Sequence, residues 1–185
     1  MRIISGLHRG RHIQAPKNLP VRPTTDYAKS GLFNILAHRY AFKKLRVADL
    51  FAGTGSITYE FLSRGCENIT AVDKHPGCVR FIRDTLHLLG AGTGVQAIQA
   101  DALTWLKRHP GTFDIILADA PFAETPANEL TDIVLGRDLL AKNGVLIIEH
   151  ARHSDLSSLP GFSEMRQYSN VCFSFFKKEV PADVG

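Results

Sequence analysis

The chain has 185 residues, of which 44% are hydrophobic and 22% charged. That length and balance fit one globular domain with a sizeable core and exclude a disordered or fibrous protein. No apolar run reaches the roughly 18 residues that span a bilayer, and the first residues lack the apolar region of a signal peptide. The three cysteines are odd in number and have no Cys-x-x-Cys spacing, so we expect reduced thiols, a cytoplasmic location and no metal site.

Charge is distributed unevenly along the chain. Residues 1–46 contain ten Lys or Arg and one acid, Asp26, whereas residues 47–185 contain twelve Lys or Arg and seventeen acids. A basic front end on a mildly acidic body suggests a polyanionic partner. The alternative is a basic face that is only solvated.

The front end predicts a hairpin followed by a helix. Residues 2–5 and 10–13 resemble two short strands around a glycine-bracketed turn. His8, Arg9 and Arg11 would lie at or beside its tip, where arginine offers planar donors for phosphate. Thr25 or Asp26 can cap the helix that follows. We therefore expect a small extension over 1–45, beside a main domain over 46–185.

The chain is organised around the stretch from Val47 to Ser56, which reads Val-Ala-Asp-Leu-Phe-Ala-Gly-Thr-Gly-Ser. Its apolar start predicts a strand covered on both faces. Gly53 and Gly55 then allow a tight turn and a close approach of a ligand to the main chain. Such a loop at the carboxyl end of a parallel strand is where α/β proteins hold nucleotide-like ligands. A purely structural turn is the alternative.

The residues around the glycine loop restrict the class of ligand that it can bind. Thr58 occupies the position of the third glycine in the dinucleotide motif, and the Gly-Lys-Ser/Thr of a phosphate loop is absent. Asp73 ends the next apolar run, where a carboxylate can accept hydrogen bonds from both ribose hydroxyls. A ribose site without a phosphate cradle suits S-adenosylmethionine.

From residue 46 onward, strands and helices alternate. We predict strands near 46–52, 69–73, 95–99, 113–119 and 144–150, and helices near 55–64, 76–89, 101–108 and 126–141. This pattern is typical of a doubly wound parallel sheet. Two further strands in the tail, near 165–168 and 170–177, predict an antiparallel hairpin of the methyltransferase type.

Two more strand ends carry carboxylates. Asp101 with the Ala102 amide can contact an adenine ring, although Asp101 also suits a plain helix cap. Asp119 is followed by Ala120, Pro121 and Phe122. A carboxylate that accepts an amine N–H stabilises the charge that grows as a methyl group arrives, and an aromatic ring can stack on an extruded base. The alternative is that Asp119 caps a helix and Phe122 belongs to the core.

Taken together, these motifs resemble the RsmD family, bacterial enzymes that methylate the N2 amine of a guanine in small-subunit ribosomal RNA. The resemblance covers nearly the whole chain. It is carried by Met1–Arg11, Arg22–Asp26, Leu32–Leu36, Asp49–Ser56 and Ser63–Gly65. It implies a Rossmann-like class I S-adenosylmethionine-dependent methyltransferase with a mostly parallel seven-stranded sheet, an antiparallel C-terminal hairpin and a small N-terminal hairpin and helix extension.

The resemblance also assigns roles to residues. Asp119, Pro121 and Phe122 would hold the guanine. S-adenosylmethionine would be bound by Phe51, Ala52, Gly53, Thr54, Gly55, Ser56, Asp73 and Asp101, and Asp49, Lys74 and Ala102 complete the predicted cofactor site. RNA contacts would involve Arg2, His8, Arg9, Arg11, Arg22, Thr24 and Asp26. The expected partner is small-subunit rRNA, within the assembled subunit, bound by a monomer.

The chain departs from the family pattern at two places. Ala120 stands where the first proline of Asp-Pro-Pro-Phe/Tyr is usual, so we expect weakened catalysis. After Asp26 the usual Asp-Arg-x-Arg-Glu is replaced, with Tyr27, Lys29 and Ser30 in this chain. Rival hypotheses remain: a methyltransferase for DNA adenine N6 or protein glutamine, a non-catalytic RNA-binding assembly factor, and a nicotinamide oxidoreductase, which Thr58 disfavours.

Overall fold

The computed structural model describes residues 1–16, 19, 25–120 and 127–178. Within them, five α-helices alternate with the strands of one sheet. The helices are α1 (Asp26–Arg39), α2 (Ser56–Ser63), α3 (Pro76–Leu88), α4 (Ala102–Arg108) and α5 (Ala127–Gly136). The strands are β1 (Arg46–Leu50), β2 (Asn68–Asp73), β3 (Val95–Gln99), β4 (Phe113–Ala118), β5 (Leu140–Ala151), β6 (Phe162–Tyr168) and β7 (Val171–Phe176).

The seven strands form one sheet in the order β3-β2-β1-β4-β5-β7-β6. The first five are mutually parallel, and β7 pairs antiparallel with both β5 and β6. This confirms the predicted class I architecture with its C-terminal hairpin. Because the strand order reverses direction between β1 and β4, the crevice at their carboxyl ends is the expected ligand site.

Alternate residues of the central strands pack into two separate cores. Val47 and Ile115 belong to the core under α1, α2 and α3, while Ala48 and Ile116 face the core under α4 and α5. Burial on both sides explains the continuous apolar runs of these strands. The sheet is therefore a rigid platform between two helical layers.

The front end shares the first of these cores. Ile3 and Ile13 are buried there with Leu32 and Phe33 of α1. The predicted hairpin is present, but its two arms pair through a single antiparallel bridge, Arg2 to His12. Thr25 caps α1 by accepting a hydrogen bond from the Ala28 amide at 3.2 Å, as predicted.

The end of α5 and the glycine inside α1 both differ from what the sequence pattern alone predicts. The prediction of a helix to residue 141 was wrong at its end, because α5 stops at Gly136. Asp138 has a φ of 56°, and Leu140 already pairs with Phe113 at the start of β5. Gly31, a weak residue inside a helix, lies against Tyr168, and a Cβ at Gly31 would fall 2.0 Å from that ring.

Within the described ranges, none of the helices is long and apolar enough to cross a membrane. The same part of the chain holds no group of three or more His, Cys, Asp or Glu side chains placed to bind a metal ion. All three cysteines are buried free thiols.

Candidate active site

The carboxyl ends of the parallel strands form the edge on which the candidate site is built. The register pairs Leu50 with both Val72 and Ala118, so β1, β2 and β4 end almost level. Asp73 at the end of β2 pairs with Gln99 at the end of β3. The strand register therefore brings the carboxylates predicted from separate motifs to one edge. They are Asp49, Asp73, Asp101 and Asp119.

The glycine loop after β1 adopts a conformation that few residues tolerate. Phe51, Gly53 and Gly55 have φ values of 55°, 55° and 78°. A Cβ at Gly55 would lie 2.8 Å from the Tyr59 ring, so this position needs glycine for both its backbone and its space. A positive φ at a bulky residue such as Phe51 is unusual, and strained positions of this kind cluster at active sites and ligand-binding sites.

The loop delivers the start of α2 to the site. Gly55 precedes α2 and makes no side-chain capping hydrogen bond, which leaves amide groups of the first turn to a ligand or water. The Ala52 amide donates to the Val72 carbonyl at 3.1 Å and ties the loop to β2. Thr54 and Ser56 are buried polar residues on either side of Gly55. An anionic group, such as the carboxylate of an amino acid, suits this position.

Asp73 connects the glycine loop with the start of α3. One carboxylate oxygen accepts a hydrogen bond from the Gly53 amide and the other from the His75 amide, each at 2.8 Å. A carboxylate has about four acceptor positions, so two remain for the hydroxyls of a ribose. The half-buried Asp73 is therefore both a support of the loop and a fitting ribose ligand.

Asp49 lies beneath the loop and is 2% exposed. Its Oδ2 accepts two hydrogen bonds from Thr58, one from the amide at 3.1 Å and one from the hydroxyl at 2.6 Å. Burial raises the pKa of Asp49 to about 7, and the nearby charges of Asp119 and Asp73 add to this rise. The strand register places the three carboxylates at the same edge of the sheet. Direct contact of Asp49 with a cofactor stays a prediction.

Asp101 caps α4 and faces solvent. Its Oδ1 accepts a hydrogen bond from the Thr104 amide at 2.8 Å, which confirms the capping alternative. Hydrogen bonding by Thr104 lowers the pKa of Asp101, and the charge of Lys74 contributes. Ala102 is buried directly after the cap. Asp101 and the exposed Lys74 therefore lie at the outer rim of the site.

Asp119 follows β4 and is half-buried, whereas Ala120 beside it is 4% exposed. Burial raises the pKa of Asp119 to about 6. The carboxyl group is thus ionised at neutral pH, but it binds a proton more readily than an exposed aspartate. Pro121 and Phe122, the other predicted catalytic residues, lie outside the described residues.

The front end presents cations on a rigid turn. Arg2, Arg9 and Arg11 are exposed and His8 is half-buried. The turn is attached to the end of α2, because the Leu7 amide donates to the Ser63 carbonyl at 2.7 Å and the His8 amide to the Ser63 hydroxyl at 2.9 Å. Asp26 pairs with the Arg2 guanidinium at 3.4 Å. Arg22 and Thr24 lie outside the described residues.

Sequence reasoning missed four residues that organise this region. In the sequence Thr58 is only the residue that replaces a third glycine, whereas in the structure it donates two hydrogen bonds to Asp49. Lys29, Glu60 and Met1 connect the front end to the glycine loop. The available signal was Glu60, the one charged residue of α2, but its partners Ile4, Ser5 and Lys29 are remote in sequence.

Comparisons with known proteins agree with this architecture. The family model described as "Conserved hypothetical protein 95" matches residues 1–177. YlbH of Bacillus subtilis is 33% identical over 165 residues, covering 87% of this chain and 88% of that protein. "Ribosomal RNA small subunit methyltransferase D" of Escherichia coli K12 is 28% identical over 186 residues, covering 99% and 92%.

Solved structures show the same fold. Escherichia coli yhhF superposes with a TM-score of 0.83 at 24% identity, covering 97% of this chain and 98% of that chain. Magnesium protoporphyrin IX methyltransferase from Synechocystis, solved with bound SAM, gives a TM-score of 0.64 at 15% identity, covering 82% and 78%. At these identities the structural likeness bears on the fold alone.

Proposed function

The chain belongs to the family described as conserved hypothetical protein 95, the RsmD family, and we propose that it methylates the N2 amine of a guanine in small-subunit rRNA. The methyl donor is S-adenosylmethionine. One observation carries the proposal: Asp119, a half-buried carboxyl group, lies at the same strand edge as the glycine loop and Asp73. The names of the relatives support rRNA as the substrate class.

The described residues fit this cofactor. The glycine loop admits a ligand close to its main chain, and Asp73 retains acceptor positions for ribose hydroxyls. Asp101 is an exposed carboxylate at the rim that can accept a hydrogen bond from an adenine amine. When bound, the cofactor supplies an electrophilic methyl group on a cationic sulfur. The residues of this chain then have to position the amine and stabilise its charge.

Asp119 is suited to the amine side of the reaction. The lone pair of a guanine N2 is delocalised into the ring, so the nitrogen is a weak nucleophile. An acceptor on its N–H stabilises the positive charge that develops on nitrogen as the new N–C bond forms and the methyl–sulfur bond breaks, with the electron pair of the broken bond left on sulfur. With its pKa raised to about 6, Asp119 is ionised at neutral pH and can also receive the proton that the nitrogen loses.

The front end supports a structured RNA as partner. Arg2, Arg9 and Arg11 are exposed on a turn that α2 holds in place. Because the main chain of this turn is held, its arginines can reach phosphates from a defined position and help to orient the RNA. The proposal includes the assembled small subunit as the form of RNA that is recognised, and a cytoplasmic location, which the free buried cysteines support.

The experiment that tests this function uses S-adenosylmethionine labelled on its methyl group. The protein is mixed with small ribosomal subunits that lack the modification, and with naked rRNA in parallel, before digestion and identification of the labelled nucleoside. We expect label in N2-methylguanosine, mainly from subunits. A parallel reaction with DNA tests the adenine target. Label there in N6-methyladenine, or in glutamine of the ribosomal proteins, with none in the rRNA, would contradict the proposed target.

A non-catalytic assembly factor would give a different result. Cofactor and subunits would both bind, yet no label would be transferred. In that case Ala120→Pro, which restores the usual family residue, becomes the informative variant.

A further inference from the structure

One buried ammonium group connects the RNA-facing segment with the cofactor loop. Lys29 of α1 is 1% exposed. Its Nζ donates to the main-chain oxygen of Arg2 at 2.7 Å and to the Ser56 hydroxyl at 3.1 Å. Carboxylate oxygens of Glu60 and Asp26 lie 3.9 Å from the same nitrogen. Three separate parts of the chain therefore meet at Lys29.

Glu60 completes this cluster from α2. It is fully buried and accepts hydrogen bonds from the Ile4 amide at 2.9 Å and the Ser5 amide at 3.1 Å. Arg64 Nε donates to the same carboxylate at 3.1 Å. The extended segment 2–5 is thus held by Lys29 on one side and Glu60 on the other.

A second contact joins the same two regions. The Thr54 hydroxyl lies 3.7 Å from the Met1 sulfur, and the terminal amine of Met1 donates to the Ile13 carbonyl at 3.0 Å. Thr54 and Ser56 flank Gly55, so the front end touches the glycine loop at both of its polar side chains. The front end and the glycine loop are therefore in direct contact at two positions.

The cost of burying charge makes the contacts of Lys29, Glu60 and Asp26 depend on one another. A buried charge is tolerated only while its partners stay in place, because desolvation of an unpaired ion is costly. Burial lowers the pKa of Lys29, and the charges of Glu60 and Asp26 oppose this change. Arg2 takes part twice: its carbonyl binds Lys29, while its exposed guanidinium pairs with Asp26 at 3.4 Å. A phosphate that binds Arg2 therefore acts on a residue that also holds Lys29.

We propose that Lys29 is a positioning residue that couples RNA engagement by the front end to cofactor affinity, acting through the Ser56 hydroxyl. The inference rests on the proposed function, since it takes the glycine loop as the cofactor site. We expect RNA to tighten cofactor binding. Linkage then requires the cofactor to tighten RNA binding by the same factor. The expected size is about five-fold or more.

The test compares Lys29→Met with a matched control, Arg64→Met. Both variants remove a cationic partner of Glu60, but Arg64 has no contact with Ser56 or the Arg2 carbonyl in the described residues. The dissociation constant of tritiated S-adenosylhomocysteine is measured by equilibrium dialysis, with and without small subunits lacking the modification. The melting temperature of each variant is recorded alongside.

We expect Lys29→Met to weaken binding of S-adenosylhomocysteine at least five-fold and to abolish the tightening caused by subunits. In turnover assays the KM for S-adenosylmethionine should rise more than kcat falls. Arg64→Met should lower the melting temperature and leave both binding constants within two-fold of the wild type. If Lys29→Met does not fold, Lys29→Gln, which retains a donor, is measured in its place.

A double variant isolates the path through Ser56. If Lys29 acts through this hydroxyl, Lys29→Met adds little to the loss of affinity already caused by Ser56→Ala. The inference would be overturned if the losses of affinity caused by Lys29→Met and Ser56→Ala were fully additive. It would also be overturned if Lys29→Met, like Arg64→Met, left the affinity for S-adenosylhomocysteine within two-fold of the wild type. If the wild type methylates subunits while its affinity for S-adenosylhomocysteine is the same with and without subunits, the inference alone fails. If the wild type binds no S-adenosylhomocysteine, the proposed function fails with it.

Discussion

Asp49 and Thr58 join the central strand to the first helix of the site: one carboxylate oxygen accepts both the amide and the hydroxyl of the threonine. The bond closes the glycine loop from beneath, at a position where a third glycine is usual in dinucleotide-binding loops. The loop is thereby fastened to β1 by side-chain hydrogen bonds. Because the carboxyl group is buried, this fastening also depends on pH.

The first prediction concerns that pH dependence. The folded protein raises the pKa of Asp49 from 3.8 to about 7, so between these values it holds a proton that the unfolded chain has released. Stability from this group is full below pH 3.8 and is lost as pH rises through about 7. Asp49→Asn keeps an acceptor for Thr58 but cannot ionise. Its free energy of unfolding, relative to wild type, should rise by about 1 to 3 kcal/mol between pH 5 and pH 8.

Urea denaturation at several pH values measures this difference. Parallel stability curves for Asp49→Asn and wild type would contradict the raised pKa.

The second prediction concerns catalysis by Asp119. Asp119→Asn should reduce methyl transfer about 100-fold to 1000-fold, because the charge that stabilises the developing cation is lost. Asp119→Ala should lose more, and both should bind S-adenosylhomocysteine with wild-type affinity. The wild-type single-turnover rate should rise with pH, reach half of its maximum near pH 6 and level off above about pH 7, since protonated Asp119 is a poor acceptor for the amine N–H.

Asp114→Asn is the matched control, because Asp114 is at the opposite end of β4 and binds Arg46. Near-normal turnover of Asp119→Asn, or an equal loss in Asp114→Asn, would exclude the assigned role.

The third prediction concerns the basic front end. Replacing Arg9 and Arg11 together by alanine should weaken binding to small subunits and reduce the dependence of affinity on salt, since about two phosphate contacts are lost. The control replaces two other exposed cations, Arg108 and Lys142, for the same change of net charge. Filter binding across a salt series measures both slopes. Equal slopes in the two double variants would show that the turn is only solvated.

The fourth prediction concerns packing of α1 against β6. Alanine normally stabilises a helix relative to glycine by about 1 kcal/mol. At Gly31 we expect the opposite, a loss of about 1 to 3 kcal/mol, because the new Cβ would fall 2.0 Å from the Tyr168 ring.

Thermal unfolding measures this loss, and Gly31→Ala combined with Tyr168→Ala provides the check. Removing the ring should make the alanine at 31 neutral or stabilising. If Gly31→Ala still destabilises the Tyr168→Ala protein by the same amount, the contact is not the cause.

The hydrophobic periodicity of each segment was sufficient to predict most strands and helices of the fold. The alternation of apolar runs and helical repeats predicted the parallel core and the final hairpin, since each element has its own periodicity. It overextended α5, because Leu139 and Leu140 continue a helical repeat while pairing in the sheet begins at Leu140. Pairing between strands is a tertiary contact that a local repeat does not contain.

By itself, the sequence determined the glycine loop and the carboxylates of the site, since a strand end followed by glycine or aspartate is a local signal. Only the tertiary structure decided which of them are buried and what they bind. Asp49 became a support for Thr58, and Lys29 and Glu60 became a junction between segments up to 56 residues apart. The reason is physical: hydrogen bonding and desolvation depend on which side chains the fold brings together, and chain spacing does not encode that.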